Sequence, residues 1–116
     1  MNEKILNEGK KYISNPDYIF DLYDLTFVYA NEEAEKKLGL PSGYFLGKTV
    51  FDVFGYDDKE ELQKAIVLEL DDAEVDFALN ITKSPISKIR VKFKNFKLDD
   101  TPYRVGTITQ YTPKEQ

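Results

Sequence analysis

The side chains with the most obvious capacity for chemistry are carboxylates. Glu32, Glu33 and Glu35 crowd one short stretch, and Asp57-Asp58, Asp71-Asp72 and Asp99-Asp100 come in pairs. Two carboxylates in unlike surroundings can divide acid and base work, and clustered ones can hold a divalent cation. No spacing here matches a calcium-binding loop, and carboxylates at helix starts and turns ordinarily cap backbone N–H groups or face water. The chain has no cysteine and no histidine. Disulfides, thiolate chemistry, Ser-His and Cys-His nucleophiles, His-ligated haem and the usual zinc sites are thereby removed together. No catalytic residue and no metal ligand is assigned, and the chain reads as a recognition module, not an enzyme.

What remains is apolar and aromatic. Hydrophobic residues make up 41% of the 116 and aromatic ones 14%, enough for one compact core and too few residues for two. A net charge of -5, from 21 acidic against 16 basic residues, opposes a polyphosphate backbone, so nucleic acid is not an expected partner. No apolar run approaches the roughly 20 residues of a membrane span. The opening MNEKILNEGKK lacks the apolar block of a secretory signal, and a cytoplasmic location is expected.

The elements that must position these side chains can be read in order. Met1 to Ser14 carries Ile5, Leu6, Tyr12 and Ile13 near helical spacing and stops before Asn15-Pro16. It is either a frayed terminus or a flanking helix that packs on a sheet or on a partner chain. Two apolar-rich runs, 18–23 and 26–30, are separated by Asp24-Leu25 and predict a tight hairpin. Strict alternation puts Tyr18, Phe20, Leu22, Val28 and Ala30 on one face. The other carries Ile19, Asp21, Tyr23, Phe27 and Tyr29. Both faces are largely apolar, so the second needs a cover: the N-terminal segment, a second subunit or a neighbouring domain. Ile5, Ile19, Tyr23, Phe27 and Tyr29 are therefore expected at a dimer or partner contact.

Asn31 is placed to cap a helix over 32–38 that ends at Gly39, with Ala34 and Leu38 facing inward. Pro41 and Ser42 open a second short turn carrying Tyr44, Phe45 and Leu46 up to Gly47. Thr49 caps a third with Val50, Phe51, Val53 and Phe54. A longer helix is expected from Asp57 or Asp58 to about Leu70, burying Leu62, Ala65, Ile66 and Leu70. Val75, Phe77, Leu79 and Ile81 then alternate with polar residues, as do Ile89, Val91 and Phe93. A turn around Ser84-Pro85-Ile86 would pair Phe77 with Phe93 and set Asp76 near Lys94. After Phe93 the alternation slips by one, which suggests a bulge or a strand end. Asp99 to Pro102 turns the chain into a last strand, Tyr103 to Thr112. Strand runs split by a helical middle predict an α+β domain: a five-stranded antiparallel sheet, helices packed on one face, and an N-terminal flanking helix. The expected division is 1–16 flanking helix or linker, 17–112 domain, 113–116 tail.

Tyr29-Ala30-Asn31, then Leu38-Gly39, then Leu46-Gly47-Lys48 and the apolar Val50 to Phe54, resemble the PAS sensor family, with Asn31, Gly39 and Gly47 as the motif's structural residues. The resemblance covers about Asp17 to Thr112. Its ending, Gly106 to Thr112, keeps the final Thr, but Gln110 and Tyr111 stand where many members have Asp-Ile, and Pro113 follows. The resemblance implies a sensory or regulatory module that binds a small ligand or a partner domain between sheet and helices. It also implies a homodimer formed through the other sheet face, and a place in bacterial or archaeal-type signalling such as two-component regulation. Members with flavin-cysteine adducts or thioester-linked chromophores need a Cys, and the common haem sensors need a His. The cofactor is accordingly left unassigned, with a non-covalent small molecule open. The wall of such a pocket would come from Phe20, Val28, Ala30, Phe45, Phe51, Phe54, Ile66, Phe77, Leu79, Val91, Phe93 and Val105, with Thr107 as a polar contributor. The alternative is a ligand-free dimerisation or docking domain in which the same residues fill the core. Arg90 shares its parity with Lys92 and Lys94 and is expected in water.

Overall fold

The computed structural model describes residues 3–54 and 74–115. Its elements are α1 (Glu3–Gly9), β1 (Tyr18–Asp21), β2 (Phe27–Ala30), α2 (Glu32–Lys37), α3 (Val50–Val53), β3 (Glu74–Ala78), β4 (Ile86–Leu98) and β5 (Thr101–Pro113). The five strands form one antiparallel sheet in spatial order β2-β1-β5-β4-β3. This is the α+β architecture that the strand and helix order predicts. The first and last strands lie side by side, so the fold closes only when the two ends of the chain meet. The expected helix from Asp57 or Asp58 to Leu70, and with it Ile66, lies outside the described residues.

Both faces of the sheet are covered. On the inner face Ala34 of α2, Leu38 at its C-cap, and Val50 and Val53 of α3 pack with Tyr18, Phe20, Ile89, Val91 and Phe93. On the outer face Ile19, Phe96, Tyr103 and Val105 form a second cluster, closed by Ile5, Leu6 and Ile13. The chain's own N-terminal segment therefore supplies the cover. Ile5 and Ile19, expected at a partner contact, instead lie in one intramolecular cluster. Gly9 sits where a Cβ would stand 2.9 Å from Ile19 Cδ1, and Tyr12 stacks on Phe96 with ring centroids 5.5 Å apart.

Strict alternation fails at β2. Tyr18 pairs with Ala30 and Ile19 with Tyr29, but Phe20 pairs with Phe27, leaving Val28 as an extra residue. A bulge of one residue sends everything beyond it to the opposite face. Phe27 is therefore buried in the inner cluster, not at a partner surface, and Val28 packs with the outer cluster, not in an inner wall. The β3–β4 register also differs from expectation: Phe77 lies opposite Ile89, and Asp76 opposite Arg90. The slip after Phe93 is neither a bulge nor a strand end, because β4 runs unbroken to Leu98 and its register breaks lie earlier, at Ile86/Lys88 and Arg90/Val91. Burial changes sides instead. Phe93 faces the helices, while Phe96 and Leu98 face α1.

The turns follow their residues. Asp99 and Asp100 both have positive φ, 50° and 68°, as a two-residue turn joining strands of right-handed twist requires. Pro113 ends β5 opposite Ile86, and the backbone N–H of Lys114 donates to the Pro85 carbonyl at 2.8 Å.

Gly106 on β5 lies beneath the Tyr18 ring, and a Cβ there would overlap the ring carbons and hydroxyl. Gly106→Ala is expected to lower stability by about 1–3 kcal/mol in urea unfolding. In a Tyr18→Leu background the added cost should shrink, since the obstructing ring is gone. Strictly additive costs would show that the ring is not what excludes the side chain.

Candidate functional site

The inner face divides into two regions. Under β1 and β2 aromatic rings touch one another, Phe27 and Phe45 at 4.9 Å between centroids and Tyr18 and Phe54 at 5.5 Å, and Phe54 carries the ring contacts on to Phe77 of β3 at 5.2 Å. Over β4 and β5 the surface is mixed. Arg104 is only 2% exposed, its guanidinium carbon stands 4.0 Å from the Phe93 ring centroid, and its Nε donates to Asn95 Oδ1 at 2.9 Å. A buried cation over an aromatic face is stabilised by the ring quadrupole, and the planar guanidinium fork suits a carboxylate or a phosphate.

Three polar side chains tie the helical layer down. Glu35, buried on α2, accepts from the backbone N–H groups of Gly43 at 2.9 Å and Phe45 at 3.0 Å. Both carboxylate oxygens are thus used to fix the 43–45 backbone. Ser84 donates through its hydroxyl to the Leu38 carbonyl at 2.6 Å, binding the end of α2 to the turn before β4. Asp17 accepts from the Ile108 N–H at 2.7 Å and the Thr107 hydroxyl at 3.1 Å, while its backbone carbonyl accepts from the Asn31 N–H. Asn31 in turn caps α2, its side chain accepting from Glu33 N–H at 3.0 Å.

Tyr29, Tyr103 and Tyr111 resist ionisation. Burial, then the nearby Asp17 carboxylate, pushes Tyr111 up to about 12, and the same two causes raise Tyr29. Tyr103 is raised by burial first and then by Asp21. On the wet side of the sheet, the hydrogen bond from Arg90 holds the Asp76 carboxyl below its usual range, with Nε to Oδ1 at 2.8 Å.

Of the residues expected to line a pocket, Phe20, Phe45, Phe54, Val91 and Phe93 are buried in the inner cluster. Ala30, Phe51, Phe77 and Leu79 are half-buried against it. Val28 and Val105 belong to the outer cluster, and Thr107 is engaged with Asp17. The expected partner residues also separate. Tyr23 is 75% exposed on the β1–β2 loop, and Tyr29 is half-buried on the outer side. Gly39 and Gly47 both adopt positive φ, 73° and 82°. Sequence reasoning missed Arg104, Asp17 and the burial of Glu35. Arg104 alternates with apolar Tyr103 and Val105, which signals a wet face unless both faces are known to be covered. For Asp17 the available signal was its place just before the first strand.

No protein-family model matches the sequence, and no curated protein is similar to it. Among solved structures, the PAS domain of an HTR-like protein from Haloarcula marismortui is similar in fold. Its TM-score is 0.57 at 17% identity, over 92% of this chain and 93% of that one. A PAS domain from a Desulfitobacterium hafniense protein matches with TM-score 0.57 and 15% identity, over 82% of this chain and 94% of that one. The chain has the PAS fold.

Tyr111 carries a pH dependence whose sign follows from its shift. The phenol ionises near 10 in an unfolded chain and at about 12 in the fold, so its contribution to stability is complete below pH ~10 and is lost as pH rises through about 12. Tyr111→Phe should flatten the fall of stability over that window and remove one late-ionising phenol from an ultraviolet titration. In Asp17→Asn the Tyr111 value should drop only part-way, because burial is the larger cause. A full return to an ordinary phenol would contradict that order.

Proposed function

We propose that this domain is a non-catalytic sensory or regulatory module. It receives a small acid against the inner face of its sheet and passes the change to a partner domain in a cytoplasmic signalling chain of bacterial or archaeal type. The fold likeness to two PAS domains supports the class of module. Arg104 is the observation that carries the ligand reading. Binding pockets are mostly apolar with a few well-placed polar groups, and Arg104 with Asn95 supplies such a group beside the apolar Phe93 and Val91. A guanidinium favours planar anions because two parallel N–H donors match two oxygens.

A second reading, a docking domain with a filled core, draws support from the ring contacts among Tyr18, Phe27, Phe45 and Phe54. These already occupy the β1–β2 half of the inner face. Homodimerisation through a bare outer sheet face forms no part of either reading, since α1 occupies that face. Among the described residues no helix is long and apolar enough to cross a membrane.

Native mass spectrometry of the purified protein, with a thermal-shift panel of small carboxylates, phosphates, nucleotides and flavins, tests the two readings. The ligand reading expects a retained molecule or a shift of several degrees, roughly what a ligand at a hundred times its Kd provides. Arg104→Gln, shown folded by circular dichroism, should lose the shift for acids. No retained molecule and no stabilisation by any compound would leave the filled-core reading in place. Equal stabilisation of wild type and Arg104→Gln would remove Arg104 from the site.

A further inference from the structure

On the helical side, away from Arg104, two lysines share one aromatic ring. Lys48 Nζ lies 4.3 Å from the Tyr44 ring centroid and Lys83 Nζ 4.8 Å from it. The two ammonium groups are therefore within about 9 Å of each other, inside the ~10 Å over which salt leaves charges unscreened. Neither makes an ion pair with a described residue, although the chain as a whole is acidic. Two like charges drawn together with no described carboxylate paired to either raise the local potential and favour an anion.

The arrangement is built into the backbone at three points. Glu35 fixes the N–H groups on either side of Tyr44, those of Gly43 and Phe45. The Lys48 carbonyl accepts from Phe27 N–H at 3.0 Å, and Thr26 bridges Thr49, so Lys48 hangs from the edge of β2. Lys83 sits in the turn that Ser84 binds to the Leu38 carbonyl. Within the same loop Leu46 is 52% exposed, a large apolar side chain left in water. Cations, an aromatic face and an exposed leucine on fixed backbone form a surface of mixed character. Phosphate chains would use the charges but leave Leu46 idle.

We infer that the Tyr44–Leu46–Lys48–Lys83 surface is a docking site for an acidic segment of a partner protein that carries apolar side chains among its carboxylates. This inference is independent of the ligand reading, because it uses neither Arg104 nor its partners Asn95 and Phe93. The full chain is titrated against a fluorescein-labelled peptide of alternating Glu and Leu, with a Lys/Leu peptide and a single-stranded oligonucleotide as comparisons. Saturable binding of the Glu/Leu peptide alone, weakening with salt, is expected. Lys48→Glu/Lys83→Glu should weaken it roughly tenfold or more, since two attractive pairs become repulsive. Lys92→Glu/Lys97→Glu changes net charge equally on the sheet and should bind within about twofold of wild type. Leu46→Ser should also weaken the Glu/Leu peptide. No saturable binding, equal loss in both double variants, indifference to Leu46→Ser, or preference for the oligonucleotide would each overturn the inference.

Discussion

Two-sided burial of the central strands is the constraint from which the rest of the structure follows. β1 and β5 are adjacent only because the ends of the domain meet, and each presents apolar groups to both faces: Tyr18 and Phe20 inward, Ile19 outward, Ile108 inward, Val105 outward. A chain of this length must then cover its sheet twice with little spare material. The helical layer covers one face and α1 the other. On each face of the sheet a close approach is made where a glycine stands: Gly106 under the Tyr18 ring and Gly9 against Ile19.

That constraint also explains which parts of the fold were legible in the sequence. Strand identities, the Asn31 cap, the Gly39 stop and the Asp99-Asp100 turn depend on local chemistry, which a sequence displays. Phe27 and Val28 depend on a bulge in the β1–β2 pairing that brings the Phe27 ring against Phe45. Nothing local to Thr26–Ala30 marks that bulge. Phe96 looked like a slipped residue because alternation assumes one wet face, whereas β4 changes its covered side along its length. Arg104 was hidden for the same reason. On a strand with two dry faces, parity no longer separates core from solvent, and only coordinates reveal which face a charge must share.

The helical layer is held differently from the sheet. α2 spans six residues and α3 four, lengths at which an isolated helix has no stability of its own. Their position comes from a few apolar contacts and from polar ties at Glu35, Ser84 and Asp17. The Glu35 and Ser84 ties join a side chain to the backbone, while Asp17 binds β5 through its side chain and Asn31 through its backbone carbonyl, so each fixes a point on the chain. Glu35 illustrates the economy of this arrangement: among three neighbouring glutamates it alone is buried, and it satisfies two N–H groups of a loop that has no regular structure.

The two basic features of the surface differ in what neutralises them. Arg90 and Lys88 on the wet face of β4 stand opposite the acidic β3, where Asp76 meets both at 2.8 and 3.8 Å and Glu74 reaches Arg90 at 4.0 Å. Cross-strand pairing thus offsets the charge of Arg90 and Lys88 within the sheet. Lys48 and Lys83 are far apart in the chain and, among the described residues, share a ring and no carboxylate. A ring stabilises their charge without cancelling it, since the quadrupole has no net charge to give. Among the described residues these two cations keep their charge, on a stretch where the backbone is pinned at points and Leu46 is exposed.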